Sequence, residues 1–397
     1  MSIVGNLSPV LFLAFHNLYG ISYTALGFLV LVNFVTQLLV DLVFSLFSHK
    51  FNIPMAVKMA PVLGAVGLAV YAVCPMLLPH NPYLGILVGT LIFSAASGFN
   101  EVLISPVIAA IPSENPDGEM SKLHSVYAWG VVFVVAVSTL FLFAFGSESW
   151  PFLALLFALV PLLACILFFG SKLPPLETPE KASGVFGFFK SKGLWICVLG
   201  IFLGGAAECT MAQWCSGYIE RALGIPKIWG DLFGVALFSV MLGLGRSLYA
   251  KYGKNIGKVL FFSAIGSVAC YLVAAASGVA AVGLIACAMT GFCTSMMWPG
   301  SLIAVSERFP HGGVMMFALM AAGGDLGASV GPQLVGIITD AVSASPTAAG
   351  IAARLGLTPE TLGMKFGILV GMVFSLAAVF VFLSIMVNRK KYVNKTE

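Results

Sequence analysis

The amino-acid sequence predicts an all-α polytopic membrane protein built as two six-helix halves. This prediction rests on an apolar composition, a series of membrane-length apolar segments, and a repeat that relates the halves. The chain has 59% hydrophobic and 9% charged residues and a mean hydropathy of +1.02, whereas soluble domains have roughly 25% charged residues. A chain of this composition cannot cover a water-facing surface, so we expect an integral membrane protein.

Apolar segments recur along the whole chain, each close to the length that crosses ~30 Å of hydrocarbon as a helix. Their internal Gly and Pro residues suit helices, because barrel strands would alternate over about ten residues. The first segment is short, since residues 1–18 give only about 27 Å of helix. Either helix 1 is short or the sequence begins inside a longer helix. The twelve predicted spans are 3–18, 23–48, 54–77, 83–111, 122–145, 150–170, 194–218, 230–250, 258–277, 279–304, 313–339 and 364–387.

Basic residues indicate the orientation of the spans. If the N-terminus is cytoplasmic, all but four of the 20 Lys and Arg residues fall on the inner side or at inner helix ends; the four are Arg221, Lys227, Arg354 and Lys365. This bias is the positive-inside pattern, and it predicts a plasma (inner) membrane protein with both termini cytoplasmic. The net charge of +4 therefore requires no nucleic-acid partner.

Several chemistries have no signal in the sequence. The eight cysteines lie singly in apolar segments, without the spacing of a metal site. No G-x-x-x-x-G-K-[ST] motif is present to bind ATP phosphates, and no nucleophile and base are grouped as in a catalytic site. We therefore expect no metal, no cofactor and no enzymatic activity.

An internal repeat relates the two halves of the chain. "GFNEVLISP" (98–106) and "GFCTSMMWP" (291–299) are 193 residues apart, and the same offset relates "LHSVYAWG" (123–130) to "MFALMAAG" (316–323). Parallel repeats of this kind are typical of transporters that bind their substrate near the membrane midplane. The predicted organisation is an N-terminal bundle (1–170), a cytoplasmic linker (171–193) and a C-terminal bundle (194–397).

These segments resemble the major facilitator superfamily. The 6+6 repeat with a central linker extends over the whole chain, and "NEVLISP", "LHSVYAWG" and "GGAAECTMAQWCSGYIERALG" (204–224) are similar to fucose-permease-like sugar:proton symporters. The resemblance implies two six-helix bundles related by pseudo-two-fold symmetry. Helix 1 departs from the family pattern because it is short and carries no acidic residue.

Carboxylates inside the predicted spans are candidates for proton coupling, because a buried charge is costly in a membrane and marks a functional site. Glu101 shares one helical face with Ser94, Ser97 and Ser105, at spacings of seven and four residues. Asp325 stands in a glycine-rich segment. His124, about one turn inside helix 5, is too shallow to pair directly with Glu101. The predicted proton-coupling residues are Glu101, Asp325 and His124.

A second group of residues predicts a site for a small polar solute. Glu208 follows two glycines that permit a bend in helix 7, and Gln213 and Trp214 follow it. Amides and aromatic rings supply the hydrogen bonds and the apolar face that a polyol requires. The predicted substrate-binding residues are Glu208, Gln213, Trp214, Asn33, Gln37, Asn100, Tyr127 and Trp298, and Asp41 and Arg246 are the predicted gating residues.

Secondary transport is the function that these features favour. We expect uptake of a sugar or related small polar solute by alternating access, coupled to protons or alternatively to sodium, by a monomer surrounded by membrane lipid. A proton antiporter that exports drugs is an alternative, although its typical G-x-x-x-G-P signature occurs here in helix 11 (327–332) rather than helix 5. A sensor without transport activity is the other alternative.

Overall fold

The computed structural model describes residues 1–47, 51–112, 116–173, 191–309 and 313–388, and these residues are almost entirely helical. These described segments form fifteen α-helices, with a π-helical turn at Asp231–Ala236 between α8 and α9 and a 3₁₀ turn at Ser147–Ser149 before α6. The helices are α1 Ser2–Tyr19, α2 Tyr23–Phe47, α3 Ile53–Leu77, α4 Pro82–Ala110, α5 Pro116–Phe145, α6 Trp150–Gly170, α7 Lys192–Leu223, α8 Lys227–Gly230, α9 Leu237–Tyr252, α10 Ile256–Ala276, α11 Ala280–Thr294, α12 Met297–Arg308, α13 Gly313–Ser343, α14 Pro346–Arg354 and α15 Pro359–Asn388.

The all-helical membrane fold is confirmed, since each predicted span contains a helix. Within the described residues, nine helical segments are long and apolar enough to cross a membrane, or ten if the bent pair α13 and α14 forms one span. Two predicted spans are interrupted in the structure. The eighth contains the π-helical turn between α8 and α9, and the tenth divides into α11 and α12 at residues 295–296.

Two compact units divide the chain. One unit comprises 1–21 and 32–183, and the other comprises 22–31 and 184–397. The predicted bundle boundary falls in the same region of the sequence, but the start of α2 joins the second unit. Most of the predicted linker, residues 174–190, lies outside the described residues.

Each unit has its own helix packing. In the first unit α3 packs against α4 and α6, and α1 packs against α5. In the second unit α7 contacts α13, α15 and α12, and α10 packs against α15. The core of the second unit is apolar and includes the buried Leu194, Ile201, Met297, Met320 and Phe382.

Glycines related by the 193-residue offset occupy corresponding contacts. An added Cβ at Gly98 in α4 would lie 2.8 Å from the side chain of Val40 in α2, and one at Gly291 in α11 would overlap the backbone of Phe238 in α9. The second pair of glycines in the repeat also lies at helix contacts: Gly130 in α5 faces Ser2 in α1, and Gly323 in α13 faces Val198 in α7. The repeat read from the sequence thus corresponds to helix contacts within each unit.

Gly291→Ala should destabilise the protein, because the added methyl group would overlap the backbone carbonyl of Phe238 and overpacking typically costs about 1–3 kcal/mol. The measurement is the thermal unfolding midpoint of the purified protein in detergent. Gly243→Ala is the matched control in α9, since a Cβ there has no neighbour within 4 Å and alanine favours a helix over glycine by about 1 kcal/mol. Equal midpoints for the two variants would contradict the assigned contact.

Candidate functional site

An ion pair inside the second unit is the centre of the candidate site. Nη2 of Arg246 lies 3.2 Å from Oε1 and 3.3 Å from Oε2 of Glu208, so α9 and α7 are joined through two charged side chains. The Arg246 side chain is 41% exposed and that of Glu208 is 14% exposed. Glu208, predicted to bind solute, and Arg246, predicted to gate, therefore belong to one pair.

A proline explains why the guanidinium of Arg246 is held in place. In a regular helix the carbonyl of Ser295 would accept a hydrogen bond from the backbone of residue 299, but Pro299 has no N–H to donate. The helix is broken at this point, between α11 and α12. Nε of Arg246 donates to the Ser295 carbonyl at 3.1 Å. The proline thus provides a backbone acceptor that orients the arginine toward Glu208.

Two glycines allow Trp298 to pack closely between α7 and α13. The Trp298 ring lies against Gly205 of α7 and Gly324 of α13, where an added Cβ at either glycine would collide with the ring. α7 is continuous through Gly204 and Gly205, so these residues accommodate close packing and do not break the helix. Trp298, predicted to bind solute, is held in a groove between two helices.

Asp325 is buried in α13 near the ion pair. Asp325 and Glu208 both interact electrostatically with Cys209 in α7. The second unit therefore brings two of the predicted carboxylates into one region.

Trp214 and Gln213 lie in the interior of the second unit. Trp214 is 2% exposed, and its indole Nε1 donates to the carbonyl of Pro332 in α13 at 2.9 Å. Its ring also contacts that of Tyr23, with 6.0 Å between the centroids. Gln213 is buried as well. The structure thus gives Trp214 a packing and hydrogen-bonding role between helices.

Polar side chains of α2 and α4 meet in the first unit. Oγ of Ser94 donates to Oδ1 of Asn33 at 2.6 Å, and Nε2 of Gln37 donates to the carbonyl of Asn33 at 3.3 Å. These three side chains are buried, as is Asp41 one turn further along α2. Asn33 therefore forms a polar contact with α4, whereas Gln37 bonds to a carbonyl of its own helix.

Glu101 and Asn100 are half-buried near the end of the apolar part of α4. Ser94 and Ser97, on the same face as Glu101, are buried.

Two further predicted residues lie in α5, which packs against α1. Tyr127 is exposed. The side chain of His124 lies outside the described residues. The spatial relation of His124 to Glu101 therefore stays a prediction.

A buried ion pair at the start of the eighth span was not predicted from the sequence. Nζ of Lys227 lies 2.9 Å from Oδ2 of Asp231 and 2.8 Å from Oγ of Ser216 in α7. Asp231 is fully buried in the π-helical turn. The spacing of four residues between Lys227 and Asp231 was the available signal, because it places both on one helical face.

A carboxylate at the end of α13 caps α2 within the second unit, and this too was missed. Asp340 accepts hydrogen bonds from the backbone N–H groups of Tyr23 at 3.2 Å and Thr24 at 2.6 Å. An acidic side chain at a helix N-terminus satisfies open donors and opposes the positive end of the helix dipole. The Tyr23 hydroxyl also donates to Glu360. Thr24 and Asp340 are 316 residues apart, so no local sequence pattern predicts this cap.

The sequence matches the Major Facilitator Superfamily over residues 1–332, and the chain belongs to this family of membrane transporters. The family predicted from the repeat is therefore confirmed, as is its major facilitator fold. No curated protein matches the chain.

Solved structures resemble the chain over nearly its whole length. A bacterial homologue of the human lysosomal transporter Spinster, in an inward-facing and unoccupied conformation, has a TM-score of 0.73 at 12% identity, over 99% of this chain and 95% of that one. A D-xylose–proton symporter has a TM-score of 0.68 at 15% identity over 96% of both chains. The E. coli fucose:proton symporter FucP has a TM-score of 0.58 at 16% identity over 95% of both. At these identities the likeness shows the fold.

Trp214→Phe should lower the thermal unfolding midpoint, because a smaller aromatic ring replaces the buried indole and the hydrogen bond to Pro332 is lost. The hydrogen bond alone contributes about 0.5–1.5 kcal/mol. The midpoint of the purified protein in detergent measures the effect. Trp229→Phe is the control, since Trp229 is exposed. Two variants of equal stability would argue against the packing role of Trp214.

Proposed function

We propose that this transporter takes up a sugar or a related small polar solute and couples its movement to protons. The observation that carries the proposal is the placement of Glu101 on the face of α4 that also bears Ser94 and Ser97. Hydrocarbon cannot satisfy such a polar face, so the face must meet other protein groups or water. Support also comes from solved relatives in fold whose titles describe fucose:proton and D-xylose–proton symporters.

Glu101 is the proposed proton carrier in the first unit. A carboxylate in a membrane span carries a charge penalty that protonation removes. A conformation that encloses Glu101 would therefore bind a proton more tightly than one that exposes it to water. An ion shifts a conformational equilibrium only through such a difference in affinity, and this difference would couple the proton gradient to solute movement.

The polar contact of α2 with α4 is the proposed solute-binding surface of the first unit. Asn33, Gln37 and Ser94 present amide and hydroxyl groups inside the spans. A polyol that displaced the contact between Ser94 and Asn33 would meet both donors and acceptors there. The positive-inside pattern supports our proposal of a plasma membrane location with both termini in the cytoplasm. We also propose that the transporter is a monomer.

Glu101→Gln should abolish accumulation of solute against a gradient, because glutamine mimics the protonated carboxyl and cannot release the proton. Exchange of solute across the membrane should continue, since it requires no net proton movement. The assay is uptake into proteoliposomes with and without an inward proton gradient, using radiolabelled fucose, xylose and their acidic derivatives. Glu148→Gln is the control, because Glu148 is exposed in the 3₁₀ turn that precedes α6.

Normal proton-driven accumulation by Glu101→Gln would assign Glu101 a structural role, and Asp325 would then be the next carboxylate to replace. Absence of proton-driven uptake in the unmodified protein, with every solute in the panel, would overturn the proposed function itself.

A further inference from the structure

The guanidinium of Arg246 retains binding capacity beyond its contacts within the protein. Nε is occupied by the Ser295 carbonyl and Nη2 by Glu208. Within the described part of the chain, Nη1 has no hydrogen-bond partner, and the side chain is 41% exposed. An arginine has five N–H donors in a planar fork, so Nη1 together with Nη2 could bind a planar carboxylate once Glu208 releases Nη2.

The location of Arg246 restricts what its exposed edge can face. The residue lies within the apolar span Lys227–Tyr249, and hydrocarbon does not solvate a guanidinium. The exposed edge must therefore face water or a polar solute. Arginine matches carboxylates through two parallel hydrogen bonds and an opposite charge, whereas a neutral sugar hydroxyl brings no charge to balance the guanidinium.

We propose that Arg246 binds the carboxylate of an acidic solute, such as a sugar acid or a hydroxy acid, and that Glu208 pairs with Arg246 when no solute is bound. This inference rests on the proposed function, because it names the class of solute that the transporter carries. Arg246 is fixed by the acceptor that Pro299 frees, so its geometry is set before the solute arrives. Such preorganisation reduces the entropy lost on binding.

A proton must accompany the acidic solute into this site. The pair of Arg246 and Glu208 has no net charge, and a solute carboxylate would add one negative charge inside the span. If Glu208 takes up one proton from water and releases its hold on Arg246, the new pair of guanidinium and solute is again neutral. One proton and one monoanion therefore bind together, and the charge of the second unit does not change.

The surrounding charges favour this exchange. Asp325 on α13 acts on the same cysteine, Cys209, as Glu208 does, so the region already contains a second carboxylate that opposes an added negative charge. Three other cations of the second unit have their own partners: Lys227 pairs with Asp231, Arg221 pairs with Glu360, and Lys365 donates to backbone carbonyls. The remaining charged or titratable groups on helices packed against α7 are Asp340 on α13, Glu307 and Arg308 on α12, Glu360 on α15, and Cys287 and Cys293 on α11.

Thermal-shift titration of the full chain in detergent tests whether Arg246 binds the carboxylate of the solute. The probes are D-glucuronate, D-gluconate and L-lactate, with D-glucose as the neutral match, because a ligand that binds the folded state raises its stability. At least one acid should bind more tightly than glucose, and Arg246→Gln should weaken that binding tenfold or more. Arg221→Gln is the matched control, since Arg221 pairs with Glu360 at 3.7 Å in the same unit; it should bind the acid normally.

The pH dependence of binding tests the role of Glu208. In the unmodified protein the affinity for the acid should rise as pH falls, by up to tenfold per pH unit, because binding takes up one proton. Glu208→Gln mimics the protonated side chain and should bind the acid with no such dependence. Glu360→Gln is the control and should retain it. Glu101→Gln should also retain the pH dependence of acid binding, although that variant should lose accumulation of solute. The two measurements therefore distinguish the proposed proton sites at Glu208 and Glu101.

Tighter binding of glucose than of every acid, unchanged by Arg246→Gln, would overturn the inference and leave the proposed sugar uptake standing. A pH dependence that persists in Glu208→Gln would remove Glu208 from the exchange. If Arg246→Gln does not fold, Arg246→Lys replaces it, because lysine keeps the charge but loses the planar fork; normal acid affinity in that variant would contradict bidentate binding. No stabilisation by any probe together with no proton-driven uptake would overturn the proposed function as well.

Discussion

Polar groups placed in hydrocarbon must find their partners within the protein, and this constraint organises the structure of the second unit. Pro299 cannot donate to the carbonyl of Ser295, so that carbonyl takes its hydrogen bond from Arg246. The charge of Arg246 in turn is balanced by Glu208. A single backbone donor missing from the sequence therefore positions an ion pair that joins α7 and α9. The need to satisfy polar groups inside the membrane thus shapes the candidate site.

The fold was largely predictable, because helix length and hydrophobicity are local properties. The 193-residue repeat also predicted sites of close helix packing, since Gly98 faces α2 and Gly291 faces α9, each within its own unit. These signals exist in the sequence because a membrane span requires about 20 apolar residues and because close helix contacts require small side chains.

The partners of the polar residues were not predictable from one sequence. Arg246 was counted among inner-end basic residues, yet its long side chain extends to Glu208 on another helix. Trp214 suits a sugar ring by its chemistry, but helix rotation turns it toward Pro332. The acidic cap that Asp340 provides for α2 depends on contacts between distant parts of the chain. Rotation and register between helices decide these contacts, and neither is encoded in the spacing of residues along one helix.

A comparison of single and double substitutions at Glu208 and Arg246 tests most directly whether these two side chains stabilise one another. Glu208→Gln and Arg246→Gln, alone and combined, would be compared by thermal unfolding of the purified protein. Each single variant leaves one charge in the span without its counter-ion, which is costly in a membrane protein, whereas the double variant leaves neither. The account predicts that the double variant loses clearly less stability than the two single losses added together. Strictly additive losses would contradict it, because they would show that the two side chains do not stabilise one another.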